Sequence, residues 1–379
     1  MRYLTELVKA DLEQKMVFIG GPRQVGKTTL ALSFLGAKPP LKAPFPPSYV
    51  NWDFIQDKEA LIRGEIPEGS LLILDEIHKY GHWRNLVKGI FDKYRGQKKI
   101  LVTGSARLDY YSKGGDSLVG RYHYYRLHPF SLGEFDNGYT QSSFEQLFEF
   151  SGFPEPLFAK SKRIHRRWQI DRLRKVIAED LASLERVNEV SHLEVLISAL
   201  PKRVGSPLSL NALREDLNVS HESIKRWLGI LENLYVGFSI MPYGSDKIRA
   251  VKKEKKFYFW DWTQCKDNGS RFENLVACQL LKFCHLRQDW DGIEMELRYI
   301  RDRSGKEVDF VVLEDGIPLF AVECKWKKDQ LDPNIKYFSE RLPEIPIFYQ
   351  VNSGTKEFGH GPRIKVCPFP VFCKQNNMP

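Results

Sequence analysis

The sequence contains no apolar run that approaches the roughly 20 residues needed to cross a bilayer. Its first fifteen residues also lack the apolar core of a signal peptide, because charges are mixed with leucine and valine in helical spacing. Both observations argue against a membrane partner and against export. We therefore expect a cytoplasmic protein.

Cysteine is scarce and is confined to the last third of the chain. No two cysteines form a CxxC pair, so the sequence indicates neither a zinc knuckle nor a dithiol redox motif. We expect reduced, partly buried thiols. The six residues are Cys265, Cys278, Cys284, Cys324, Cys367 and Cys373.

The length and charge of the chain indicate how many domains it has and what kind of partner it binds. A chain of 379 residues exceeds one ordinary core, which predicts two to four domains. The 42% hydrophobic and 28% charged residues describe a globular protein. The formal net charge of +9 favours an anionic partner such as DNA, although many basic proteins bind no nucleic acid.

Residues 21–28, GPRQVGKT, lie between a predicted strand at 16–19 and a predicted helix at 29–35. This context is typical of a P-loop, in which inward-pointing amides and a helix N-terminus bind nucleotide phosphates. Lys27 would reach the β- and γ-phosphates, and the Thr28 hydroxyl would ligate magnesium. The alternative is a glycine turn that matches by chance. The predicted nucleotide-binding residues are Gly21, Pro22, Arg23, Gln24, Val25, Gly26, Lys27, Thr28 and Thr29.

Two adjacent acids follow residues 70–74, of which 71–74 are consecutive apolar residues that predict a strand buried on both faces of a parallel sheet. Open α/β sheets bind their ligands at the carboxyl ends of their strands. Asp75 would hold magnesium through water, and Glu76 would orient or deprotonate the attacking water. The alternative is a strand that ends in a solvated acidic turn.

Two further strands are predicted at 49–52 and 99–103, the second ending in Gly104-Ser105. A polar side chain there could contact the γ-phosphate or the water. We favour Ser105 over Thr103, although Ser105 could equally cap the following helix.

These motifs together resemble those of an AAA+-type ATPase. GSA at 104–106, GR at 120–121 and PFSLGEF at 129–135 narrow the resemblance to prokaryotic AAA-like ATPases that carry a C-terminal PD-(D/E)XK nuclease-type domain. The resemblance implies that Ser105 acts as a sensor and that Arg121 is an arginine finger. A finger reaching a neighbouring subunit implies a homo-oligomer. The alternative role for Arg121 is a structural salt bridge.

The middle of the chain predicts a helical lid and a winged helix. A basic helical stretch at 160–186 could place an arginine near the phosphates, or it could be a solvated basic face. Three short helices follow, with Ser209 and Ser220 as N-caps, and then strands. This winged-helix pattern could bind DNA or dock a protein.

The C-terminal part contains a predicted hairpin with Asp309 on one strand and Glu323 and Lys325 on the other. A three-residue loop at 315–317 would place Asp309 opposite Glu323, whereas a two-residue loop would place it opposite Val322. Converging carboxylates beside a lysine resemble the metal-dependent PD-(D/E)XK nucleases.

Glu273 on the preceding helix matches the additional helix acid of that family. Val308 departs from it, because the family pattern has proline before the aspartate. The alternatives are a polar edge hairpin, or metal or DNA binding without cleavage.

The sequence thus predicts an α/β protein in four parts: an AAA-like P-loop NTPase core with a parallel sheet (1–150), a helical lid (151–190), a winged helix (191–245) and a restriction-endonuclease-like α/β domain (246–379). ATP and Mg²⁺ are the predicted cofactors, with a second divalent metal at Asp309 and Glu323. The predicted function is ATP hydrolysis on DNA with a nuclease-like domain. The alternatives are a regulatory ATPase whose C-terminal domain binds DNA or protein without cleaving, and a small-substrate kinase, against which the adjacent acids argue.

Overall fold

The computed structural model describes residues 1–104, 118–176, 190–244, 254–327 and 330–379. It contains two compact units, Met1–Pro129 and Phe130–Pro379. Within the described ranges, no helix combines the length and the apolar composition that crossing a membrane requires.

The first unit is built on a five-stranded sheet in which every pairing is parallel. The strands are β1 (Met16–Gly20), β2 (Tyr49–Asn51), β3 (Leu71–Asp75), β4 (Lys99–Thr103) and β5 (Tyr122–Arg126). Their order across the sheet is β2-β3-β4-β1-β5. Strand β4 therefore lies between the strand that leads into the P-loop and the strand that ends in Asp75.

Four α-helices accompany this sheet among the described residues, one before β1 and three in the connections between strands. They are α1 (Thr5–Asp11), α2 (Lys27–Ser33), α3 (Ile55–Ile62) and α4 (Trp83–Lys93). All five residues of β1 are buried, as a central parallel strand requires. Phe18 and Leu74 join Trp83 and Val87 of α4 in one apolar cluster. The strands predicted at 49–52, 70–74 and 99–103 are confirmed within one residue at each end.

The second unit combines helices with a larger mixed sheet. Its helices are α5 (Gln141–Phe150), α6 (Pro154–Ala159), α7 (Lys162–Lys175), α8 (Val190–Ala199), α9 (Leu210–Leu217), α10 (His221–Asn233), α11 (Asn268–Asp291), α12 (Pro333–Arg341) and α13 (Phe369–Gln375). Its strands are β6 (Gly237–Pro242), β7 (Lys256–Phe259), β8 (Met295–Arg301), β9 (Glu307–Glu314), β10 (Ile317–Lys325), β11 (Phe348–Asn352), β12 (Phe358–His360) and β13 (Ile364–Pro368). Their order is β12-β13-β11-β10-β9-β8-β6-β7.

The predicted winged-helix segment has the expected helices. Ser209 and Ser220 cap α9 and α10, because their hydroxyls accept hydrogen bonds from the amides of Ala212 and Ser223. Strand β6 then pairs antiparallel with β7 and parallel with β8 of the C-terminal part. The segment thus shares a sheet with the predicted nuclease-like part, and its assignment as a winged helix stays a prediction.

The PFSLGEF segment has a structural role within the second unit. Ser131 and Glu134 form a reciprocal capping box around a short turn. The ammonium group of Lys282, on α11, contacts the Glu134 carboxylate. Both side chains are at most 2% exposed, so the pair is shielded from water. This buried ion pair joins the segment to the long helix.

The turn of the β9–β10 hairpin differs from the prediction. Its loop is two residues long, because Ile317 pairs with Glu314. Asp315 and Gly316 both have positive φ, as the two-residue turn favoured by Asp-Gly requires. A β-bulge between Pro318 and Phe320 then supplies the extra residue on β10. The three-residue loop was wrong, but the bulge restores the register that places Asp309 opposite Glu323.

Candidate functional site

The P-loop follows β1 and curls into the start of α2. Gly26 has φ 98° and precedes the first helical residue, Lys27. Gly21 has φ 144°, and a Cβ atom there would lie 2.3 Å from the carbonyl oxygen of Leu127. Glycine is therefore required at position 21 by both conformation and space.

The remaining predicted loop residues surround this turn. Pro22 and Val25 are buried, and Arg23 and Thr29 are half-buried. Gln24 is exposed and has φ 62°. Together with the glycines, these residues give the loop the backbone shape that a phosphate site needs.

The Lys27 side chain lies inside the loop and is only 6% exposed. Its ammonium group donates to the carbonyl oxygens of Gly21 at 2.9 Å and Pro22 at 2.7 Å. The structure therefore holds the ammonium group against the backbone of the loop, and its contact with nucleotide phosphates stays a prediction.

Asp75 is the centre of a hydrogen-bonded group at the carboxyl end of the sheet. Its Oδ2 accepts from the Thr28 hydroxyl at 2.7 Å and from the Tyr49 hydroxyl at 2.8 Å. Its Oδ1 accepts from the Thr103 hydroxyl. Burial and the neighbouring Asp75 raise the pKa of Tyr49, so this phenol remains a donor. The carboxylate is thus fixed beside the residue predicted to share its magnesium ion.

Tyr49 and Thr103 were not assigned to the site from the sequence. Tyr49 had no motif around it. Thr103 ends β4, next to Asp75 on β3, and the sequence analysis preferred Ser105. Ser105 and the start of the segment that follows it lie outside the described residues. The position of Thr103 at a strand end was the signal that could have identified it.

Glu76 follows β3 in the left-handed conformation, with φ 56°. Its Oε2 lies 3.7 Å from both His78 Nε2 and Lys79 Nζ. Burial raises the pKa of the Glu76 carboxyl; Lys27 opposes this shift and Asp75 adds to it. Burial lowers the pKa of His78 to about 4, and Lys79 and Lys27 act in the same direction. A neutral imidazole therefore stands beside Glu76.

Arg121 lies just before β5, at the amino-terminal end of the parallel strands, whereas the P-loop lies at their carboxyl end. Its guanidinium Nε lies 3.1 Å from Oδ1 of Asp92 on α4, and both side chains are about a third or more exposed. Tyr122 pairs with Met16, the first residue of β1, whereas the P-loop follows the last. Five strand residues span roughly 16 Å, so Arg121 is separated from its own P-loop by the length of β1.

The predicted C-terminal site residues do come together. Asp309 Oδ2 accepts from the backbone amide of Cys324 at 2.8 Å, and Glu323 Oε2 accepts from the amide of Asp309 at 3.2 Å. Lys325 Nζ lies 2.6 Å from Glu323 Oε1 and 2.8 Å from Asp332 Oδ2. Alternation along β10 places Glu323 and Lys325 on one face, as predicted.

A second lysine, which sequence reasoning missed, lies in the same cluster. Lys256 Nζ is 2.5 Å from Glu307 Oε1, 3.4 Å from Glu273 Oε1 and 3.7 Å from Asp309 Oδ1. Tyr258 donates to Glu273 Oε1 at 2.7 Å. Glu273 and Asp309 thus lie around the same ammonium group, while the role of Glu273 as the family's helix acid stays a prediction. A lysine at the start of a strand gave no motif that could have been recognised.

The pKa values of the ionisable groups in this cluster are strongly shifted. Burial, together with Glu273 and Glu323, raises the pKa of Asp309 well above its usual value. Burial raises the pKa of Glu323 to about 7, against the opposing effect of Lys325. Burial disfavours the charged form of Lys256, but the surrounding carboxylates outweigh it and raise its pKa.

The carboxylates of this cluster do not form the predicted second metal site. Among the described residues, no group of three or more histidine, cysteine, aspartate or glutamate side chains is arranged to hold a metal ion. The space shared by Glu273, Glu307 and Asp309 contains the ammonium group of Lys256 instead. These residues do not fit a divalent cation.

Comparison with known families gives three matches along the chain. Residues 13–136 match the model described as an AAA domain. The first third of the chain is an AAA-like P-loop ATPase domain. This confirms the P-loop ATPase part of the predicted fold. Residues 141–263 and 268–372 match models described as Domain of unknown function (DUF8612) and Domain of unknown function (DUF4143), so the predicted winged helix and nuclease-like domain stay predictions.

Whole-chain similarities are weaker. "Uncharacterized protein Rv2008c" of Mycobacterium tuberculosis and "Uncharacterized protein Mb2031c" of Mycobacterium bovis are each 22% identical over 320 residues, covering 82% of this chain and 70% of theirs. The Aeropyrum pernix ORC1 protein, solved in complex with DNA, is 14% identical with a TM-score of 0.29, covering 72% of this chain and 90% of that one. The Bacillus subtilis DNA clamp loader delta protein is 10% identical with a TM-score of 0.28, covering 60% and 87%.

Proposed function

We propose that this protein is an ATP-hydrolysing molecular switch that acts on DNA, and that its C-terminal domain binds without cleaving. The observation that carries the ATPase proposal is the group formed by Thr28, Asp75 and Glu76 at the mouth of a P-loop. A metal-binding pair and a second, adjacent acid are the parts that hydrolysis of a nucleoside triphosphate needs.

The residues of the first unit have distinct roles in this proposal. The loop amides and Lys27 bind the phosphates, and the Lys27 ammonium exchanges its two carbonyl partners for phosphate oxygens. Thr28 and Asp75 would hold a magnesium ion, which when bound would neutralise negative charge on the phosphates. Tyr49 and Thr103 keep the Asp75 carboxylate oriented. Glu76 accepts the proton of the attacking water, and burial, which raises the pKa of its carboxyl, makes it a stronger base.

Arg121 is proposed to act between subunits. Because it lies at the amino-terminal edge of the sheet, it is not placed to contact the nucleotide bound by its own chain. A neighbouring chain could receive it, so the protein would work as a homo-oligomer. Its ion pair with Asp92 would then orient the guanidinium in the absence of a neighbour. Ser105 is retained as the proposed sensor.

DNA is proposed as the partner because of the chain's net charge of +9 and the surface of α10. His221, Lys225 and Arg226 are exposed on this helix, whereas Ile224 and Trp227 are buried. A capped helix with a basic outer face, preceded by a second short helix, is the arrangement that enters a DNA groove in helix-turn-helix proteins. In this proposal the ATPase core is followed by a helical lid, a winged helix and a restriction-endonuclease-like domain.

Metal-dependent DNA cleavage is the second candidate function. It is favoured by the meeting of Asp309, Glu323 and Lys325 at one point of the β9–β10 hairpin. The buried Lys256 in the same cluster argues against it, since an ammonium group and a divalent cation would repel each other there. We therefore favour binding without cleavage over DNA cleavage as the role of the C-terminal domain.

Phosphate release from ATP, measured with and without duplex DNA, tests the main proposal. We expect turnover that DNA stimulates and candidate small-molecule phosphate acceptors do not, and its loss in Lys27→Ala. Lys15→Ala, outside the site, is the matched control. Absence of turnover under all conditions would refute the ATPase role.

Two other outcomes would favour the rival functions. Stimulation of turnover by a small molecule that becomes phosphorylated would favour the kinase. Nicking of DNA with Mg²⁺ or Mn²⁺, lost in Asp309→Ala and Glu323→Ala, would favour the nuclease.

A further inference from the structure

In the second unit, the Lys256 ammonium group lies among the carboxylates of Glu273, Glu307 and Asp309. Lys256 is fully buried, and its backbone is fixed by pairing with Ile240 of β6 and by a bridge to Pro207. Its ammonium group also lies 5.4 Å from the ring centroid of Tyr299. The backbone of Lys256 is therefore held by strand β6 on one side and by the bridge to Pro207 on the other, so that its buried side chain starts from a fixed position.

The three carboxylates around Lys256 already have hydrogen-bond or ion-pair partners. Glu307 shares one oxygen with Lys256, while the other lies 2.8 Å from the Arg301 guanidinium. Glu273 accepts from Tyr258 as well as from the lysine. Asp309 accepts from the amide of Cys324. A divalent cation would need several of these oxygens at about 2.0–2.6 Å, so it would have to displace their donors.

We propose that the Lys256 ammonium group takes the place of the metal ion in this carboxylate cluster, so that the cluster is complete without a divalent cation. An ammonium group has three donors and no acceptor, which suits three converging carboxylates. Lys325 serves Glu323 and Asp332 in the same way. This inference rests on the non-cleaving role proposed for the C-terminal domain and gives that role a physical cause.

Manganese binding to the full-length protein tests the proposal. All variants carry Thr28→Ala, which removes the proposed P-loop metal ligand, and no nucleotide is added. Electron paramagnetic resonance of free Mn²⁺ measures the ion bound per chain. We expect no tight site with Thr28→Ala alone, and about one Mn²⁺ per chain once Lys256→Met is added. Adding Asp309→Asn to that variant should remove the site again.

Lys282→Met is the matched control, because it also removes a buried lysine that pairs with a glutamate, Glu134. It should create no manganese site. The proposal is overturned if Thr28→Ala already binds Mn²⁺ through Asp309, or if folded Lys256→Met gains none.

The first of these arms needs no change at Lys256, so the test remains decisive if Lys256→Met does not fold. Failure of the ATPase proposal is seen separately, as lack of phosphate release by protein with an intact Thr28.

Discussion

The Thr28 hydroxyl donates a hydrogen bond to Asp75 across 2.7 Å, although 47 residues separate them in the sequence. The first residue of the pair belongs to the helix after the P-loop, and the second ends β3. The two residues proposed to hold magnesium are thus in direct contact in the structure. If they do hold the ion, this contact would lower the entropic cost of assembling the metal site.

Glu76→Gln should separate nucleotide binding from hydrolysis. The amide keeps the size of the side chain but cannot accept the proton of water, so phosphate release should fall about 10²- to 10⁴-fold. ATP affinity, measured by isothermal titration calorimetry, should stay close to that of the unmodified protein. Glu65→Gln is the control, since Glu65 pairs with Arg63 on the surface. A variant with full turnover would exclude Glu76 as the base.

Arg121 can be tested by mixing two inactive variants. Arg121→Ala lacks the finger but keeps its own site, whereas Glu76→Gln keeps the finger and lacks the base. In a random equal mixture, one subunit in four combines an intact site with an intact neighbouring finger, so activity should recover to about a quarter.

Asp92→Ala is the control for the ion pair of Arg121. An exposed pair of this kind contributes at most about 1 kcal/mol, so this variant should fold and hydrolyse ATP. A mixture of Arg121→Ala and Glu76→Gln that stays inactive would contradict donation between subunits. Equal loss of stability in Arg121→Ala and Asp92→Ala, with no loss of activity, would support the salt-bridge alternative.

His78 should make the protein sensitive to acid. The unfolded imidazole takes up a proton near pH 6.5, but the folded one does so only near its pKa of about 4. The unfolded state therefore gains protons first as the pH falls, and stability present above pH 6.5 is lost between these values. The loss should reach about 3 kcal/mol.

Urea unfolding of the full chain at about pH 7 and about pH 4.5 measures this effect. His78→Phe should show a smaller loss than the unmodified protein, because it has no proton to gain. His82→Phe, at an exposed position, should leave the loss unchanged. An identical acid response in His78→Phe would show that the buried imidazole is not responsible.

The buried pair between Lys282 and Glu134 should be needed for the stability of the second unit. Lys282→Met leaves a carboxylate without its cation in a site that is at most 2% exposed, which should cost about 3–5 kcal/mol in the free energy of unfolding. Lys282→Met with Glu134→Gln should recover part of this loss, because no buried charge remains.

A double-mutant cycle in urea measures the coupling of this pair. Lys99→Met, which removes the exposed pair of Lys99 with Glu13, should cost less than about 1 kcal/mol. Additive losses at Lys282 and Glu134 would contradict the coupling.

Local patterns predicted the first unit well. Apolar runs bounded by glycine and acids identified β1, β3 and β4, because a strand buried on both faces has to be apolar along its length. The P-loop could be recognised because its glycines allow backbone conformations that depend only on neighbouring residues in the sequence. The hairpin was harder, since a bulge at Leu319 cannot be read from alternation alone.

The sequence by itself determined the nucleotide site, because residues that are close along the chain build most of a phosphate-binding loop. Only the tertiary structure decided which groups meet across strands: Tyr49 and Thr103 on Asp75, and Lys256 among Glu273, Glu307 and Asp309. The reason is physical, because the charge balance of a buried cluster depends on strand order and register, which here bring together residues between 17 and 53 positions apart.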